Sequence, residues 1–91
     1  MFVKRVSERL DYTLDFSGAM DDADSIASID STTVEPSGEL SVSSVLSDPK
    51  TVIVWADVGG VAGNRYEIDV KVTTSAGRRL VGHFYIYVID D

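Results

Sequence analysis

The chain has 91 residues, no cysteine, one histidine and a formal charge of −7, from eight Lys/Arg against fifteen Asp/Glu. That length suits one domain with a modest core. Without cysteine there are no disulfide staples, no thiolate nucleophile and no cysteine-ligated zinc, and the acidic balance disfavours nucleic acid and anionic lipid.

The basic residues of MFVKRVSERL are followed by no apolar run of useful length, so no secretory signal is expected. No 18-residue apolar stretch follows either, so no helical membrane span is expected. Residues 1–9 read as an N-terminal arm or edge strand, and 10–91 as a single β-sandwich domain. In Leu10-Asp11-Tyr12-Thr13-Leu14-Asp15-Phe16 the apolar residues fall on even positions. Side chains alternate across a strand, so this is a half-buried strand, closed by Gly18. The segment DDADSIASI is too short and too rich in serine and isoleucine to hold a helix. Ile26 to Val34 reads as a strand with broken alternation, where a bulge is expected. Glu35-Pro36-Ser37-Gly38 is a turn. A weaker strand follows within Glu39–Ser47, and then Thr51–Val58. There Val52, Val54 and Ala56 share one face, and Ile53, Trp55 and Asp57 the other. A single tryptophan in a small sandwich is expected in the core.

Tyr66 to Thr73 alternates without exception, apolar on every even residue. Thr74-Ser75-Ala76-Gly77-Arg78 then supplies a turn, and Arg79–Ile89 completes an antiparallel hairpin. About seven short strands separated by turn residues predict an all-β protein. The expected form is an immunoglobulin-like or fibronectin-like antiparallel sandwich with one wet face per sheet; a small barrel is the alternative.

Few residues are placed to carry chemistry. His83 lies on a strand and is expected to be a polar surface residue rather than a base or ligand. Asp21, Asp22 and Asp24 lack the spacing and glycine of a calcium loop and read as a solvated acidic turn, leaving cation binding there open. Asp11 and Asp15 share a face but lie about 13 Å apart, too far for a glycosidase pair from this strand alone. The run GGVAGN lacks both the spacing and the lysine of a phosphate loop, so its three glycines are expected to shape the backbone. Asn64 is expected to share their unusual angles. No cofactor is expected, and the chain is read as a non-enzyme. The last strand is apolar on both faces: Leu80, Phe84, Ile86 and Val88 suit the core, while Val81, His83, Tyr85, Tyr87 and Ile89 form a candidate protein interface. Coverage of that second face by Phe2 and Val3 is the competing explanation.

The segments LDYTLDFS, DSIAS, VEPSG, TVIVWADVGGVAGNRYEIDVKVTTSAGRR and FYIYV occur in that order from Leu10 to Val88. Together they resemble small tail-associated proteins of tailed bacteriophages and prophages, the fiber–tail adaptor-like proteins. The resemblance implies a virion structural protein, tail-associated and made in the bacterial host cytoplasm. It would act through contacts with other phage structural proteins, self-association among them, and with neither nucleic acid nor membrane. Tyr12, Asp15, Phe16, Gly59, Gly60, Gly63, Tyr66, Thr74, Gly77 and Arg78 match the family pattern and are read as fold-defining. The chain departs from it at Ser31-Thr32-Thr33-Val34, where relatives commonly carry an aromatic residue. The alternative function is a bacterial immunoglobulin-like binding module recognising a carbohydrate or a surface protein.

Overall fold

The computed structural model describes residues 1–91. It has seven strands: β1 (Phe2–Arg5), β2 (Leu10–Asp15), β3 (Ile26–Glu35), β4 (Val42–Asp48), β5 (Thr51–Ala56), β6 (Arg65–Thr74) and β7 (Arg79–Ile89). One sheet has the order β1-β7-β6-β3 and the other β2-β5-β4. All pairings are antiparallel except β1 with β7, which is parallel. The expected all-β sandwich is therefore the fold. Its first strand lies in the sheet of β7, β6 and β3, whereas the immunoglobulin constant-type sandwich places its first strand in the other sheet.

Alternation decides what fills the space between the sheets. Tyr66, Ile68, Val70 and Val72 of β6 are fully buried, as are Val52, Val54 and Ala56 of β5 and Ile86 and Val88 of β7. Burying a valine or isoleucine side chain contributes about 1.5–3 kcal/mol, so these three strands supply most of the hydrophobic drive. The inner face of β7 has a gap at Gly82. A Cβ there would lie 2.9 Å from Cζ of Phe16, so the Phe16 ring rests directly on the β7 backbone.

The two lateral seams close differently. On the β1–β2 side, Phe2, Tyr12 and Phe84 stack with ring centroids 4.6–5.6 Å apart. On the β3–β4 side, Thr32 and Ser44 share a hydroxyl hydrogen bond of 2.6 Å. Thr32 belongs to the stretch that departs from the family pattern, and here a polar contact joins the sheets. The expected bulge is present: the register of β3 against β6 shifts twice, between Ile26 and Ser28 and between Ile29 and Ser31.

The weaker predicted strands shorten. The strand expected within Glu39–Ser47 begins at Val42, and Leu40, 3% exposed, plugs the core from the preceding connection. The strand expected to reach Val58 ends at Ala56, and Val58 is exposed. The strand before Gly18 ends at Asp15, whose carboxylate accepts the Ser17 N–H and turns the chain.

Candidate interaction surface

The turns position everything else. Gly59, Gly60 and Gly63 take φ of 122°, 89° and 92°, values that cost side-chain-bearing residues energy. Asn64 does not share them, contrary to expectation: no non-glycine residue has positive φ. Its backbone N–H donates to Val61 and its carbonyl accepts from Val88, while its side-chain amide donates to Glu39 at 3.3 Å. The Tyr66 hydroxyl accepts the Val61 N–H at 2.8 Å and donates to Glu39 Oε1 at 2.6 Å. A tyrosine near the start of the sixth strand thus ties the backbone five residues upstream to Glu39. Burial and then the Glu39 carboxylate raise its pKa.

The acidic turn is not merely solvated, which corrects the expectation. Asp24 is buried, with 6% exposure. Its carboxylate accepts N–H bonds from Ser25 and Ala76 and a guanidinium bond from Arg78 at 3.0 Å. Arg78 also bonds Asp21 at 3.0 Å, and Asp22 remains exposed. Desolvation pushes the Asp24 pKa up, but the hydrogen bonds from Thr74, Ala76, Ser25 and Arg78 outweigh it and hold it below the usual range. The cluster thus ties the β2–β3 connection to the β6–β7 turn. No group of three or more acidic or histidine side chains is arranged for a metal ion.

Lys4 is also out of water, fully buried at the end of β1. Its ammonium donates to the carbonyls of Arg5, Val6 and Gly59 at 2.8, 3.3 and 3.1 Å. Burial lowers its pKa. Together with the Gly59 N–H bond to the Val6 carbonyl, it anchors the first strand to the glycine loop.

These anchors leave one sheet face open. On the outer side of the four-stranded sheet, Val81, His83, Tyr85, Tyr87 and Ile89 project from β7 in one row, about 27 Å from end to end. Val81 and His83 are exposed, and Tyr85, Tyr87 and Ile89 half-buried. The first strand does not lie over this face. It extends the sheet sideways, setting Val3, 54% exposed, beside Tyr87, and Arg5 beside Ile89, while Phe2 turns to the inner side. Opposite the row on β6 runs a charged ladder in which Arg65, Glu67, Asp69 and Lys71 face Tyr87, Tyr85, His83 and Val81. The Arg65 guanidinium sits 4.8 Å from the Tyr85 ring, and the Glu67 carboxylate raises the Tyr85 pKa. His83 packs edge-on to Tyr85 at 6.1 Å. The chain's ion pairs join Arg9 to Asp57 and Arg78 to Asp21 and Asp24, so Asp69 and His83, though opposite in register, form none.

Trp55 lies outside the core, which corrects a second expectation. It projects from the outer face of β5, half-buried, with the Arg9 guanidinium 4.3 Å from its ring. Arg9 also pairs with Asp57 at 2.8 Å. The smaller Val52, Val54 and Ala56 point inward instead and are fully buried.

The chain is thus a small β-sandwich whose polar clusters hold turns together and whose open features are surfaces. Its sequence matches the family model described as podophage GP4 fiber-tail adaptor protein gp77 over residues 4–87, and the chain belongs to that family. It is a structural component of the phage tail, serving fiber attachment. None of the curated proteins matches it.

Proposed function

We propose that the chain is a non-catalytic tail adaptor that binds a structural protein of the particle through the outer face of its four-stranded sheet. Val81, His83, Tyr85, Tyr87 and Ile89 are the contact residues, flanked by Val3. The observation that supports this most is that tyrosines and aliphatic side chains fill an outward row over which no strand is laid: Val81 and His83 are exposed, and Tyr85, Tyr87 and Ile89 are only half-buried, with Arg65 beside the Tyr85 ring. Large aromatic surfaces with a polar tip are enriched where proteins meet. Residues 1–9 act with the sandwich as one unit, since β1 widens the same face. The chain is made in the host cytoplasm and carried in the tail, where its partners are protein surfaces.

The test substitutes Tyr87→Glu and, separately, Val81→Glu in the phage or prophage that encodes the chain. Particles are then stained with gold-labelled antibody. The variant proteins are expected to keep the wild-type circular dichroism spectrum and to unfold within a few degrees of wild type. They are expected to be missing from the tails. Tails labelled as in wild type would overturn the assignment of this face.

A further inference from the structure

An adaptor must hold two things, and the sandwich has a second outer face. On the three-stranded sheet, Trp55 stands in one cross-strand row with Asp11 and Ser43, and Ile53 in the next with Thr13 and Val45. Val45 is 51% exposed, and Trp55 and Ile53 are half-buried, so an apolar patch occupies the centre of the face. Its border is acidic. Asp11 and Asp15 project from β2, with Asp57 and Asp48 near the ends of β5 and β4. The cations nearby are already engaged. Arg9 is held by Asp57 and the indole ring. The Lys50 ammonium is turned to the carbonyls of Asp21 and Asp22. Neither Asp11 nor Asp15 has an ion-pair partner within the chain. The opposite face differs: Arg5, Arg65, Lys71 and Arg79 there balance Asp30, Glu35, Glu67 and Asp69.

We propose that the outer face of β2, β5 and β4 is a second docking surface, for a structural protein of the same particle whose contact patch is apolar and bordered by lysine or arginine. Trp55 is the anchor, because a large aromatic side chain beside an arginine is the composition that dominates binding energy at interfaces. Ile53 and Val45 complete the desolvated centre. Asp11 and Asp15 select the partner, since charges at the rim of an interface steer association and reject a like-charged surface. A second copy of this chain presenting the same face is disfavoured, because the two acidic borders would meet. The choice of partner rests on the tail-adaptor reading; the location of the surface does not.

The probes are the purified tail and fiber proteins encoded with the chain, each tested against immobilised wild-type protein and three variants. Ile53→Glu removes the apolar centre. Asp11→Lys reverses the border and leaves the apolar patch intact, so it also serves where the first variant fails to fold. Tyr87→Glu alters only the opposite face. One protein is expected to lose at least about tenfold in affinity for both Ile53→Glu and Asp11→Lys while binding Tyr87→Glu normally. Its affinity for wild type is also expected to fall with salt, because acidic borders act through screened charge. If a tail protein binds wild type and both β5-side variants equally, the second surface is overturned and the adaptor reading stands. If no tail or fiber protein binds wild type, both fall together.

Discussion

Gly60 and Gly63 sit in one loop with nearly equal φ, 89° and 92°, yet their surroundings differ. A Cβ at Gly63 meets nothing within 4 Å, whereas at Gly60 it would lie 2.9 Å from Val88 Cγ2 in the packed core. Gly63→Ala carries the backbone cost alone, about 1–2 kcal/mol. Gly60→Ala adds overpacking and is expected to cost about 2–4 kcal/mol in urea unfolding. Equal losses would show that Val88 yields freely. The two core tyrosines make a second contrast. Tyr66→Phe removes the acceptor of the Val61 N–H and one of the donors to the exposed Glu39 carboxylate, which keeps the Asn64 amide, and is expected to lose about 0.5–1.5 kcal/mol. The Tyr12 hydroxyl is buried without a partner. Tyr12→Phe removes an unsatisfied polar atom and is expected to leave the thermal midpoint unchanged or higher. A clear loss in Tyr12→Phe would reveal a bridging group at that hydroxyl.

Among the elements, the β6–β7 hairpin depends on pH through Asp24. Its folded pKa lies below the ordinary carboxylate value of 3.8. The folded form therefore binds its proton less readily than the unfolded chain. The resulting stability is fully present above about pH 4 and is lost as pH falls through the lowered value. Asp24→Asn is expected to unfold more easily at neutral pH and to show a shallower fall in thermal midpoint between about pH 4 and pH 2. An unchanged slope would assign the acid sensitivity to other carboxylates; Asp15, Asp30 and Asp91 are also held low, by bonds from Ser17, Thr73 and Ser7. This element was also the most legible in the sequence. The bounds of β7 follow from alternation and from Gly77 in the turn, and β6 differs by one residue at each end. Period two reveals that faces alternate, but not which parity turns inward when both are apolar. Trp55 is the case in point: in β5, Val54 and Trp55 are equally plausible core residues until the partner sheet fixes the spacing. The burial of Asp24 is not legible in the sequence because its partner Arg78 is 54 residues away, and that pairing exists only once the connections meet. Lys4 left no signal at all. It faces inward because it is in register with Val88, and three carbonyls at the sandwich end receive its charge.

At the scale of the molecule, two layers separated by about 10 Å carry two unlike outer faces, one near neutral and one acidic. The long dimension is 44 Å and the others 19 and 17 Å, so the two faces are long and narrow and lie back to back across a short dimension. Tyr87 and Ile53 share no contact partner across the core, because each points away from it. Substitutions further than about 10 Å apart without shared partners add in free energy to within about 0.5 kcal/mol. The double variant Tyr87→Glu with Ile53→Glu is therefore expected to show an unfolding free energy equal to the sum of the single changes. In assembly it should lose both partners, where each single variant loses one. A stability coupling above about 1 kcal/mol would mean that one face reports on the other through the core. The sandwich would then transmit binding from one side of the tail attachment to the other, and would not act as a rigid spacer between them.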